Sequence, residues 1–261
     1  MQPAGDGWHE ARVASAGAGT AYWYRPDGRR ECPDPAARAL PEGVFGPAQV
    51  VDPATFAWHD ARWCGLRLSG MVLYELHVGT FTPAGTFDAI IPRLSALRDL
   101  GVTAIELMPV ASFPGRRNWG YDGVGLFAPQ WSYGGPDGLR RLVDACHRAG
   151  LAVVLDVVYN HLGPEGNFLA EFGPYFTDRY HTPWGHAMNF EGPEGRGVRD
   201  FVLANAIHWV QDYHVDALRL DAVHGIVDAS PVHILAELSA AMERVARRLG
   251  RPVPLIAESD L

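Results

Sequence analysis

The sequence predicts an α/β protein: a (β/α)₈ barrel cut after its fifth strand and preceded by the tail of a β-sandwich. Two observations point there. From Met71 onward strand patterns and helix patterns alternate, giving five strands with four helices between them. Three of those helices stop at a glycine, Gly101, Gly150 or Gly250, as helices do when the closing residue takes a left-handed conformation. A doubly wound sheet shares this grammar, but no G-x-G-x-x-G turn follows the first strand, so the barrel is the expected form.

Residues 1–68 read differently. Ala21-Tyr22-Trp23-Tyr24 is an aromatic strand closed by the turn Arg25-Pro26-Asp27-Gly28. The prolines Pro33, Pro35, Pro41, Pro47 and Pro53 then rule out a helix or a central strand. This part is expected to be the C-terminal part of a sandwich plus a covering linker. Within 69–261, strand one is Met71–Val78, and its helix carries Phe87, Ile90, Ile91, Leu94, Leu97 and Leu100. Strand two is Val102–Met108, followed by a helix with Leu139, Leu142, Val143 and Cys146. Strand three is Leu151–Val157, and a long insertion, about 162–197, precedes the helix Val198–Tyr213. Strand four is Val215–Asp221. Ser230 and Pro231 then read as the cap and first position of the next helix, and strand five is Val253–Glu258.

Composition narrows the function. With 48% hydrophobic and 20% charged residues the chain can bury an ordinary core. A net charge of −8 without any basic block argues against nucleic acid and anionic membranes as partners, whereas a neutral sugar is indifferent to it. Cys32, Cys64 and Cys146 have neither the number nor the spacing for a disulfide framework or a zinc cluster. The N-terminus lacks the pattern of a signal peptide, and no apolar run approaches the roughly 18 residues that span a bilayer, so the cytoplasm is expected. Eleven histidines raise a metal site, but no H-x-H or H-x-x-x-H pair occurs, and no metal or other cofactor is expected.

Barrel enzymes work at the carboxyl ends of their strands. Those ends carry Glu75, His77, Glu106, Asp156, Asn160, His161, Arg219, Asp221, His224 and Glu258. Asp221 and Glu258 close adjacent strands, which puts their carboxyl groups roughly 5 to 6 Å apart, the separation of a retaining glycosidase rather than an inverting one. Period-2 alternation puts Arg219 on the same face as Asp221, where a permanent cation keeps a nucleophile ionised. Glu258 needs a raised pKa to serve as proton donor, and the apolar Leu255-Ile256-Ala257 before it suits that. Asp156 is expected to pair with Arg219 across the strands. His161 and His224 are placed to hydrogen-bond a hydroxylated substrate. Aromatic rings stack on sugar faces; Trp119 and Tyr121, in the shorter loop near the mouth, are singled out, while most rings of the insertion read as packing beneath loops.

These segments resemble a known family. Asp156-Val157-Val158-Tyr159-Asn160-His161, Asp216-Ala217-Leu218-Arg219-Leu220-Asp221-Ala222-Val223-His224 and Ala257-Glu258-Ser259 are similar to the first three conserved regions of the α-amylase clan, glycoside hydrolase family 13. The resemblance implies Asp221 as nucleophile and Glu258 as acid/base. It implies Tyr121, His161, Arg219 and His224 on the sugar, with Asp156 structural; Trp119 and Ala222 are expected at the substrate as well, and Asn160 is expected to be structural. Phe172-Gly173-Pro174-Tyr175-Phe176 through Trp184-Gly185 is most similar to the clan's trehalohydrolase branch, which releases trehalose from malto-oligosyltrehalose; glucan branching enzymes are the alternative, and a non-catalytic glycan-binding fragment is a third. The clan also uses a third acid beyond strand seven. With Leu261 just past strand five, the chain is expected to be an internal piece of a longer enzyme, inactive and poorly stable alone.

Overall fold

Five short parallel strands organise the computed structural model, which describes residues 1–5, 8–192 and 194–260. They are Leu73–Leu76, Ala104–Leu107, Ala152–Val157, Ala217–Leu220 and Leu255–Ala257, strands one to five. Their order in the sheet is five-four-three-two-one, all parallel, so each strand lies beside its sequence neighbours. A doubly wound sheet reverses direction at a switch point. No reversal occurs across these five strands, so that alternative is set aside, and the fold is α/β with a parallel sheet.

One face of the sheet meets the helices. Gly135–Ala149 turns Leu139, Leu142, Val143 and Cys146 into the main core and stops at Gly150, whose φ of +80° is the left-handed cap expected there. Helices Gly195–Asp212 and Ile234–Leu249 pack on each other farther along the sheet. The other face is small and apolar low down, at Ala104, Ala152, Val154 and Ala217, which leaves the polar rows to its upper end.

Two elements differ from expectation. The first connecting helix is broken into Phe87–Ile90, a 3₁₀ turn Ile91–Arg93 and Leu94–Asp99, because Pro92 has no N–H for the helical ladder. The helix before strand five starts at Ile234 rather than after Ser230, with His233 Nδ1 capping the Leu235 N–H. Asp228 accepts the N–H groups of Ser230 and Ile234 and holds the intervening residues as a turn.

In residues 1–68 the strands pair Gln2–Gly5 with Trp8–Glu10 and Ala21–Tyr22 with Ala48–Gln49, both antiparallel, and Tyr24 bridges to Cys32. The proline-rich stretch buries Ala37, Leu40, Val44 and Ala48 against Val124 and Ala128. Among the described residues no helix is long and apolar enough to cross a membrane.

Beneath the sheet, this N-terminal region is pinned by His147. Its Nδ1 lies 2.8 Å from Asp60 Oδ2 and its Nε2 2.9 Å from Asp216 Oδ2, with the Trp63 ring stacked on it. Two carboxylate acceptors require a proton on each nitrogen, hence an imidazolium. Burial pushes the His147 pKa down, but the bonds to Asp216 and Asp60 outweigh it and the pKa is raised. A histidine raised in the folded state contributes stability that is complete below about pH 6.5 and is lost as pH climbs through the folded value. The melting temperature should therefore fall above about pH 6.5, and His147→Gln should cost about 3–5 kcal/mol below it while flattening the slope. An unchanged pH slope in the variant would remove His147 from this role.

Candidate active site

Sheet register brings the polar strand ends together. Glu75 and Glu106 are register partners, as are Asp156 and Arg219. The last pair between strands four and five is Leu220 with Ala257, and the Glu258 N–H continues the ladder to the Leu220 carbonyl at 3.0 Å. Asp221 likewise donates its N–H to Val157 at 3.1 Å. The two acids thus follow directly on the last register pair of neighbouring strands.

Arg219 joins them. Its Nη1 lies 2.8 Å from Asp221 Oδ1 and 3.1 and 3.0 Å from the two oxygens of Asp156. Its Nη2 is 3.5 Å from Glu258 Oε2. One guanidinium therefore faces three carboxyl groups, more negative charge than it can neutralise. Asp156 is the most deeply buried of the three, and burial pushes its pKa up to about 7, with Asp221 adding to the rise and Arg219 and Tyr121 opposing it. Glu106 is raised as well, first by burial and then by Glu75.

The Ala222 backbone is left-handed, with φ +40°, and aims its N–H at Glu258 Oε2, 2.7 Å away. Ala222, expected at the substrate, thus also holds the Glu258 carboxyl group through its backbone. The apolar setting expected for Glu258 is only partly formed. Its side chain is 34% exposed, and Leu255 and Ile256 are half-buried, because strand five is the outer strand of the described sheet.

Tyr121 stands over Asp156 and donates its hydroxyl to Oδ2 at 3.0 Å. The turn that carries it is built by Asn118, whose Oδ1 accepts the Gly120 N–H at 2.7 Å. Gly120 has φ +104°, and a Cβ there would come 2.3 Å from the Pro109 carbonyl oxygen, so the turn admits only glycine. Trp119 at the same turn is 73% exposed, its ring edge-on to His77. His77 holds the turn from below with Nε2 2.7 Å from the Asn118 carbonyl, a role not foreseen from sequence.

His161 is buried, and burial lowers its pKa, so the ring is neutral. It stacks on Trp184, centroids 5.2 Å apart and planes within 11°. Trp184 also stands 6.1 Å from His224. The tryptophan sits between the hairpin strands Phe176–Thr182 and Gly185–Met188 of the insertion and remains 42% exposed. Reading the insertion's rings as packing missed it. The signal was Pro183-Trp184-Gly185, a tryptophan in a turn where packing has little to offer it. Asn160 lies in this corner too, its amide buried and without a hydrogen-bond partner among the described residues. His224 Nδ1 is 3.4 Å from Ser259 Oγ.

An acid pair under one arginine, with a neutral histidine and exposed indoles around it, fits chemistry on a hydroxylated, ring-shaped substrate. Comparison with known proteins gives the family. Residues 47–184 match the family described as Alpha-amylase: Alpha amylase, catalytic domain. The malto-oligosyltrehalose trehalohydrolase of Saccharolobus solfataricus is 48% identical over 255 residues, 98% of this chain and 44% of that protein. The chain thus spans less than half the length of this curated relative. A putative alpha amylase from Salmonella typhimurium superimposes with a TM-score of 0.93 at 44% identity, over 99% of this chain and 44% of that one. A pullulanase from Anoxybacillus sp. LM18-11, solved with maltotetraose, gives a TM-score of 0.71 at 26% identity over 83% of this chain and 37% of its own. With half of its length in the catalytic-domain match and its acids on adjoining strand ends, the chain belongs to the alpha-amylase family.

Proposed function

We propose that this protein hydrolyses the α-1,4-glucosidic bond next to the terminal trehalose unit of malto-oligosyltrehalose, releasing trehalose with retention. The observation that carries the reading is that Asp221 and Glu258 follow neighbouring strands four and five, with Arg219 hydrogen-bonded to the first and within ion-pair distance of the second. The likeness to the Saccharolobus trehalohydrolase supports the substrate, and the pullulanase solved with maltotetraose supports an α-glucan in the cleft.

In this reading the Asp221 carboxylate attacks the anomeric carbon while the bond to trehalose breaks and Glu258 gives its proton to the departing oxygen. Water then attacks the glycosyl ester, passing a proton back to Glu258 and freeing Asp221. Arg219 holds Asp221 by a charge-assisted hydrogen bond, Asp156 and Asn160 are structural, and Tyr121, Trp119, His161, Ala222 and His224 line the sugar. The same reading makes 69–261 the first five strands of a (β/α)₈ barrel with an insertion at about 162–197, makes 1–68 the end of a β-sandwich plus linker, and puts the enzyme in the cytoplasm.

Protein expressed from its complete reading frame should release trehalose from malto-oligosyltrehalose. The new reducing end should appear first as the α-anomer in time-resolved proton NMR. An initial β-anomer would overturn retention, and new branch points without trehalose would overturn the substrate.

A further inference from the structure

We propose that Arg199 is a positioning residue: it ties the foot of the Trp184 hairpin to the loop after strand four, and so sets where Ala222, His224 and Trp184 stand around the acid pair. Its side chain is 7% exposed and spends its donors on separate segments. Nη1 donates to the Phe190 carbonyl at 3.2 Å, at the foot of the hairpin, and to Asp228 Oδ2 at 2.7 Å, in the loop. Nη2 donates to the Val232 carbonyl at 2.6 Å and Nε to Glu237 at 3.1 Å on the following helix.

The Asp228 side chain is fully buried and passes the constraint on by accepting the Ser230 and Ile234 N–H groups. Burial works against its charge, yet these bonds and Arg199 hold its pKa down at about 2. A second tie runs alongside. Glu191, next to Phe190, accepts the Ala229 N–H with one oxygen and the Tyr180 hydroxyl, at 2.6 Å, with the other. Hairpin and loop meet again at the cleft, where a Cβ on Gly225 would stand 2.8 Å from the Trp184 ring. Two segments fixed together at one end and in contact at the other move as one body. Loosening the fixed end should therefore loosen the cleft end, although neither Arg199 nor Glu191 touches it.

The amides of Ala222, Val223, Gly225 and Ile226 report this directly. Their acceptors are Glu258 and the loop's own carbonyls, not Arg199, Asp228 or Glu191. A purely local role for Arg199 would speed exchange only at Ala229, Ser230 and Ile234. Coupling predicts that amide hydrogen exchange at 222–226 also accelerates about tenfold or more in Arg199→Met, less in Arg199→Lys, and measurably in Glu191→Gln, the milder change should the methionine variant fail to fold. The activity arm rests on the glycosidase reading: kcat/KM for malto-oligosyltrehalose should fall about tenfold in Arg199→Met and be partly restored in Arg199→Lys. Unchanged exchange at 222–226 in the folded variants would overturn the coupling, and unchanged kcat/KM would overturn the positioning role. A wild-type protein inactive on malto-oligosyltrehalose would instead overturn the functional reading, leaving exchange to decide the coupling.

Discussion

Asp221→Asn should lower hydrolysis of malto-oligosyltrehalose by at least about a thousandfold while changing substrate affinity little. The amide has the size and shape of the carboxylate, and its oxygen can still accept from Arg219 Nη1, which now holds Asp221 Oδ1 at 2.8 Å. What it lacks is the nucleophilic charge. Without an attacking carboxylate no glycosyl ester forms, so the loss should fall on kcat, with KM and the Kd for a slowly cleaved analogue close to wild type. Glu258→Gln is the informative companion. It leaves the nucleophile but removes the proton donor, so a substrate with a good leaving group, which needs no proton, should recover much of the first step in Glu258→Gln and none in Asp221→Asn. Near-normal turnover in the Asp221 variant would take the nucleophile role away from it. Equal rescue of both variants would reverse or merge the two assignments.

Much of this site was legible because strands impose simple geometry. A period of two puts Arg219 and Asp221 on one face whatever surrounds them, and adjacent strands bring Asp156 to Arg219, where the pair is found at 3.0 to 3.1 Å. What escaped depends on contacts between distant segments. Trp184 reaches His161 from the turn of a hairpin in the insertion, and although Pro183-Trp184-Gly185 sets that ring apart, nothing local names its partner. The helix start at Ile234 rather than just after Ser230 follows from Asp228 and Arg199, which are 29 residues apart in sequence. His77 as the support of the Trp119 turn is a bond across 41 residues. The apolar surroundings expected for Glu258 were read from three side chains on one strand, yet a strand's neighbours decide how dry its end is. Pro92, by contrast, was a local signal overlooked: its missing N–H splits the first connecting helix wherever that helix packs.

Arg219→Met should be nearly as damaging as the loss of the nucleophile, for a different reason. Asp156 has a fully buried side chain and Asp221 is almost as enclosed, and Arg219 bonds both. Removing one partner of such a pair costs about 3–5 kcal/mol, because the remaining charge is stranded in a poor solvent. Activity should fall at least about a hundredfold as well, since Asp221 loses the donor that holds its carboxylate in place. The pH dependence distinguishes stranded charge from lost packing. Asp156 already has a folded pKa of about 7, above the unfolded carboxylate value. For an acid raised in this way, stability is highest below the unfolded pKa and declines as pH rises through the folded one. Without Arg219 the folded pKa must rise further, so the decline extends to higher pH. The variant's deficit should therefore be small near pH ~5 and grow towards pH ~9. Adding Asp156→Asn removes the stranded carboxylate, so the double variant Arg219→Met/Asp156→Asn should melt higher than Arg219→Met alone at alkaline pH and lose most of the excess pH slope, while remaining inactive. A double variant no more stable than the single one would mean that Arg219 contributes by filling space, and the electrostatic account of this cluster would fall with it.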